Sequence, residues 1–451
     1  MLDDALAPHL HRHVGTRHVE ATAYLMFGCG AYALYVLSGF DTHVTWAHSA
    51  AIGYCSAAFI GLAPFSLRVS RTALARVVAT AGSVIVPFIT LTSGQHPMQS
   101  EIDVVTRSGD LLLSSGIPYL PDATSVSDIN PYLPMMAVFG VPRALLERTG
   151  IDTGSAWNAV GDPRLWCALI AGIAIWGSLR ILGALNWWTA GAVLLFIASP
   201  TVALELCASG VDLPLAGLLI LALALVARRH LVTGAICLAA AAAIKWVALL
   251  ALPIVAAFLL ARFGRGALAR FSAVLAAASA AFILPAMLSL SDTIAQVFEF
   301  PTGNGPVSTP ARSPMPGVLL AEFGPAGRNA DMLLLAMCAG VIGLCLLRHP
   351  PRTFEAMATY LAVGLTCFFL LAPVGRFGYL LIPMLLIGLA GIVYRQTHPH
   401  QVLLNRHLTA MAATPALIHR FTPARPPVTG RRPWPKWRTR PTGPAGYARA
   451  T

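Results

Sequence analysis

A chain of 451 residues that is 56 % hydrophobic and 11 % charged, with a mean hydropathy of +0.69, has too few charges to cover a soluble surface. It reads as a polytopic membrane protein with no separate soluble catalytic domain. The formal charge of +12 does not point to nucleic acid, because nine of the 31 basic residues follow His398, where no acid occurs.

Taken in order, residues 1–19 carry Asp3, Asp4 and several histidines, unlike the short basic start of a signal peptide, so the first apolar segment is expected to be retained. Spans are expected near 20–40, 44–65 and 74–93, each close to the ~20 residues a crossing helix needs. Arg68, Arg71 and Arg76 between the second and third, with Arg12 and Arg17, place that linker and the N-terminus in the cytoplasm by the positive-inside rule. The third span therefore emerges outside. Residues 94–164 follow as an extracytoplasmic loop with surface helices, within which Met135–Arg148 is too short and too charged to cross.

Further apolar runs lie near 165–183, 186–199, 211–227, 231–261, 269–290, 331–347, 354–372 and 378–394. The long run 231–261 is one tilted helix or two short ones. Arg228/Arg229, Arg262/Arg265/Arg270 and Arg348/Arg352 mark cytoplasmic turns. Counting the long run as two gives an all-α fold of about twelve spans, with a range of ten to thirteen. Three pieces are left outside: 94–164, a short turn around Ser199–Asp212, and a Pro/Gly-rich outer loop over 291–331. Residues 396–451 read as a disordered, basic cytoplasmic tail. The eight cysteines show no metal or disulfide spacing and are expected as small core residues.

Gln99–Pro134 stands out because it holds five of the nineteen acids in an otherwise apolar chain. Glu101 and Asp103 share a face if the segment is extended and splay if it is helical. Either carboxylate can serve as a general base for an acceptor hydroxyl, or simply as a hydrated or capping group.

The run Glu101, Asp103, Val104, Gly109, Asp110, Leu112, Gly116, Pro118 and Tyr119 resembles the first outer loop of the GT-C glycosyltransferases. It is most similar to the bacterial polyprenyl-phosphate-mannose-dependent mannosyltransferases. Asn130-Pro131-Tyr132-Leu133-Pro134 resembles the family's Tyr/Pro-rich re-entry. Ser209-Gly210-Val211-Asp212, Arg228/Arg229 and the small-residue helix from Gly234 to Lys245 resemble its later helices. The likeness covers roughly 95–260, and the three helices preceding the acidic loop depart from the single one common in the family. The resemblance implies transfer of a sugar, mannose being the commonest, from a polyprenyl-phosphate donor to an extracytoplasmic lipid or glycan acceptor, by a single inverting displacement at a bacterial plasma membrane. Asp103 matches the family's base position, with Glu101 its inseparable neighbour. No cofactor is implied; a divalent metal has no identifiable ligand set beyond Glu101 and Asp103.

A leaving phosphate needs cations. Lys245 is one of two lysines and lies inside an apolar run, where it either meets a phosphate or snorkels to headgroups. Arg376 lies on the outer side against the charge rule, and Arg312 sits in the proline-rich loop. Asp212 caps a helix or touches substrate. Tyr119, Tyr132 and His96 are candidate substrate contacts, with turn packing or plain solvation as the alternatives. Trp46, Trp187 and Trp188 read as interface anchors. A multi-spanning transporter or lipid flippase also fits twelve helices, although no repeat symmetry between the halves is visible. A non-catalytic envelope-assembly partner is the third reading.

Overall fold

The computed structural model describes residues 3–63, 70–93, 99–150, 155–305 and 307–398, which are helical with one isolated two-residue β-bridge. The expected tail falls on residues outside this set, apart from its first few. Among the described helices, seven are long and apolar enough to cross a membrane, or eight if one bent pair counts as a single span.

Helices α1 (Asp3–Leu37), α2 (Asp41–Leu62) and α3 (Arg71–Thr92) form an N-terminal bundle. Small residues allow this: Gly53 of α2 lies directly on Gly82 of α3, where a Cβ would come within 2.7 Å of the opposite Cα. An ion pair from Arg76 Nη2 to Glu20 Oε1 at 2.6 Å ties α3 to α1. Ala81–Ile85 is a π turn within α3. Its altered bonding leaves the Ser83 carbonyl free to accept from Trp46 Nε1 at 2.8 Å. Trp46 is therefore 1 % exposed core, and not the interface anchor its sequence position implies.

The acidic segment begins as a helix, α4 (Ser100–Ser115), closed by Gly116 at φ +76°. It lies against the short helices of 134–148, including α5 (Val141–Arg148), which do not span. Gly109 and Gly140 make the contact, since a Cβ on Gly109 would stand 2.3 Å from the Gly140 carbonyl carbon.

Next come α6 (Pro163–Leu182), capped by Asp162, and the pair α7 (Trp187–Ile197) and α8 (Pro200–Ala208), bent by 67°. The region from Ser199 expected as a turn is mostly helix α8. Then follow α9 (Leu213–Ala227) and α10 (Leu231–Ile244), apolar but only 15 and 14 residues long. The long run 231–261 does break in two: Lys245 is extended at φ −151°, ψ 126°, and α11 (Trp246–Phe263) follows. The remaining helices are α12 (Arg265–Met287), α13 (Pro325–Arg348), α14 (Phe354–Leu371) and α15 (Phe377–Thr397). The expected outer loop 291–331 is shorter than its composition implies, because 290–302 is helical and α13 starts at Pro325.

Among the described residues there are two large cores and one small one. The first unites α6, α9–α11, α14 and α15 around Leu219, Leu223, Phe258 and Leu386; the second joins the N-terminal bundle to Ala198, Ala203 and Cys207 at the bend of α7 and α8; the small one holds Tyr119, Leu133, Ala286 and Val297. Helices α9 to α15 run up and down. The arginine-bearing turns at Arg228, 262–265 and 348–352 fall at one end. Asp212, Lys245, 288–324 and 372–376 fall at the other. Arg228 Nη2 bonds the last carbonyl of α6, Leu182 O, at 2.8 Å, which sets α6 in the same register.

Candidate active site

At the end opposite the arginine turns lies a cavity of about 600 Å³, walled by α4, the break at Lys245, the segments 300–311 and 372–379, and α13. Most of its lining is apolar, with Trp246, Phe300, Met332 and Phe368 among the larger side chains. Its charged groups are Glu101, Lys245, Arg328 and Arg376.

Because the acidic segment is helical, Glu101 and Asp103 splay by about 200°. Glu101 faces the cavity, with its side chain 11 % exposed, and is ion-paired with Arg376. Asp103 is exposed and is not on the cavity wall. Its carboxyl is pushed above the usual range by partial burial, which outweighs the opposing pull of Arg107 and Arg164. The family's base position therefore falls beside the cavity, and its neighbour falls inside.

Lys245 owes its place to the helix break. The Ile244 carbonyl has no helical partner there and accepts Leu133 N at 3.0 Å, which draws the 130–133 segment alongside. The Tyr132 ring thereby reaches the cavity, with Lys245 Nζ 5.6 Å from its centroid and 4.5 Å from that of Tyr379. Lys245 Nζ also pairs with Asp212 Oδ1 at 2.8 Å. Asp212, 4 % exposed, makes no side-chain capping bond at the start of α9. It is neither the cap nor a direct wall of the cavity, but the counter-ion that holds Lys245.

Arg376 is carried by a strand-like pairing. Ser313 N bonds Gly375 O and Gly375 N bonds Ala311 O, each at 3.0 Å, and Phe377 N bonds Ser313 Oγ at 3.3 Å. Arg312 supplies backbone to this pairing while its side chain is exposed; the cavity wall is formed by Thr309, Pro310 and Ala311. Tyr119 also lies off the wall: it is 3 % exposed, donates to Tyr132 O at 3.1 Å and packs with Leu133, Ala286 and Val297. It shapes the re-entry and is not part of this cavity's wall. His96 lies outside the described residues.

The loop from 117 to 133 is fixed by Asn130, which donates to Pro118 O and accepts from Tyr132 N, while its own N–H reaches Gln296 Oε1 at 2.9 Å. Sequence reasoning missed Trp246 and Arg328 on the wall, and Arg164, which is buried and not part of it. Trp246 directly follows the interrupting lysine, and Arg164 is an arginine at the second position of an apolar helix. Among the described residues, no group of three His, Cys, Asp or Glu side chains gathers that could hold a metal ion. The eight cysteines are free, with Cys29 and Cys55 exposed rather than in the core.

Comparison with known proteins gives a family match and a similarity to a solved structure. The sequence pattern of glycosyltransferase family 87 matches residues 130–373, more than half of the chain. The crystal structure of ArnT from Cupriavidus metallidurans bound to undecaprenyl phosphate is similar at 19 % identity with a TM-score of 0.44; the match covers 75 % of this chain and 63 % of that one, less than two thirds of the relative's length. No curated protein sequence matches.

Proposed function

The chain belongs to glycosyltransferase family 87, and from that premise we propose that it is a membrane transferase of the GT-C kind that moves a sugar from a polyprenyl phosphate to a lipid or glycan hydroxyl. Mannose is the sugar to test first, and the extracytoplasmic face of a bacterial plasma membrane is the proposed side. One observation carries the reading. A largely apolar cavity, suited to a prenyl chain, gathers one carboxylate and three cations at the end away from the arginine-rich turns.

In this reading Lys245 and Arg376 receive the donor phosphate. Glu101 Oε takes the proton of the acceptor hydroxyl, and the acceptor oxygen attacks the anomeric carbon as the bond to the phosphate oxygen breaks. The electron pair leaves on the phosphate, whose gain in charge the two cations offset. Configuration inverts, and no covalent enzyme intermediate is needed. Geometry favours Glu101 over Asp103 as the base, since Glu101 lines the cavity. Tyr132 and Trp246 supply ring faces for the sugar or the chain.

The test is a donor screen with purified protein and polyprenyl-phosphate sugars, followed by Glu101→Gln and Asp103→Asn. Loss of about 10²-fold or more in kcat for Glu101→Gln, with a smaller loss for Asp103→Asn, is expected. The reverse order would return the base to Asp103. Transfer from no polyprenyl-phosphate sugar would end the proposal.

A further inference from the structure

Arg164 is 1 % exposed and takes no part in the cavity wall, yet all of its guanidinium nitrogens are engaged. Nε and Nη2 clasp the Asp162 carboxylate at 2.9 and 2.6 Å; Nη1 donates to Cys207 O at 3.1 Å and Nη2 to Leu91 O at 2.9 Å. The two carbonyls are the decisive contacts. Leu91 belongs to the last turn of α3, ten residues before Glu101, and Cys207 to the last turn of α8, five before Asp212. Carbonyls in a last helical turn lack intrahelical partners and carry the negative end of the helix dipole, so a buried cation binds both well. Asp162 neutralises that cation, which makes its burial tolerable.

The same interface is reinforced nearby. Cys207 Sγ contacts Ser83 O and Val84 O of the π turn at 3.7 and 3.5 Å, and Tyr54 Oη donates to Ala198 O at the α7–α8 bend at 2.5 Å. The N-terminal bundle lies outside the residues matched to the family, 130–373, but it is docked onto the half-helix that leads into Asp212.

We propose that Arg164 is a positioning residue: by holding the ends of α3 and α8 on one guanidinium, it sets the carboxylate side and the lysine side of the cavity relative to each other, with the N-terminal bundle as the fixed support. The roles of those two sides rest on the transferase reading above; the mechanical coupling does not. Lysine cannot replace the arginine here, because one ammonium cannot reproduce a bidentate clasp plus two carbonyl bonds in a plane.

The experiment is amide hydrogen exchange on the full chain in detergent, comparing the parent with Arg164→Lys and with the charge-neutral double variant Asp162→Asn/Arg164→Gln, which leaves no lone buried charge. Exchange at least tenfold faster in peptides covering 99–116 and 205–213, with α13 and α14 unchanged, is expected in both. Assayed with polyprenyl-phosphate mannose as the probe, donor KM should rise and kcat should fall together, because both sides of the cavity lose register. Exchange that is unchanged at both peptides, or raised evenly along the chain, overturns the proposal. So does loss of folding in the double variant, which would make Arg164 a purely structural residue. A parent that transfers no sugar but shows the localised exchange pattern in its variants refutes the transferase reading alone.

Discussion

Replacing Lys245 with methionine should cost far more stability than replacing its partner Asp212 with asparagine. Asp212 is 4 % exposed and makes its ion pair at 2.8 Å. At that distance the gross attraction is about 6 kcal/mol for an effective dielectric near 20. Taking the lysine away leaves a carboxylate with nothing to compensate it, a loss of about 3–5 kcal/mol. The contact with the Tyr379 ring at 4.5 Å adds about 1 kcal/mol. Asp212→Asn instead leaves an ammonium whose side chain is 18 % exposed and opens on the cavity, where water reaches it. Its cost should be about 1–2 kcal/mol. The double variant Lys245→Met/Asp212→Asn should recover most of the loss, giving a coupling of about 2 kcal/mol or more. Denaturant titration of the four purified proteins in micelles measures this. Equal single costs, or effects that add to within about 0.5 kcal/mol, would refute the placement of Asp212 as the lysine's counter-ion.

Gly109→Ala should destabilise the chain by about 1–3 kcal/mol, because its Cβ would meet the Gly140 backbone at 2.3 Å; faster amide exchange across α4 and α5 would register it, and an unchanged rate would show that the two helices can part freely. Asp103 is harder to ionise in the folded chain than in the unfolded one. It therefore costs nothing below the unfolded carboxylate pKa, and its penalty grows as pH rises through that value and then the higher folded one. Asp103→Asn should match the parent's stability near pH 3 and exceed it at pH 7, and a variant less stable at pH 7 would contradict this. The Asp128 carboxyl is held below its usual range, chiefly by Ser125, which donates at 2.6 Å. That contribution is present above the unfolded pKa and lost as pH falls through the folded one, so amide protection over 124–128 should drop on acidification below the ordinary aspartate range, and constant protection would argue against it. Ser125→Cys, with Cys29 and Cys55 changed to alanine, should react with an impermeant thiol reagent in intact cells; labelling that needs lysis would place the cavity on the cytoplasmic side.

The long apolar helices and the helix break at Lys245 were legible because both are one-dimensional signals. An apolar run needs only counting, and a lysine inside one has few places to go. What stayed hidden depended on phase or on register between distant segments. Whether Glu101 or Asp103 meets the cavity is decided by α4 being helical, and the acids of Gln99–Pro134 mask the apolar face of Ile102, Val105 and Gly109 that makes it so. Arg312 and Ala311 differ by one residue, and only the pairing with Gly375 determines which of them faces inward. Asp212 stayed open between helix cap and substrate contact because its sequence neighbours show only the helix start, whereas its partner lies 33 residues on. Arg164 was passed over because an arginine beside an apolar run looks like a topology marker, while its carbonyl partners are 73 and 43 residues away.

The π turn at Ala81–Ile85 is the place in the N-terminal bundle where a one-residue change of chain length can be absorbed. A π turn holds one residue more than the α turn it interrupts. Deleting one residue there would give a more regular helix and, by local criteria, a better one. The helix beyond the deletion would keep nearly its phase, because the turn already absorbs the extra residue, and what would be lost is the set of Ser83 carbonyl bonds made there, including that from Trp46. A residue added or removed in the regular helix between that turn and Leu91 would instead rotate the Leu91 carbonyl by about 100° relative to Arg164 and shift it by about 1.5 Å.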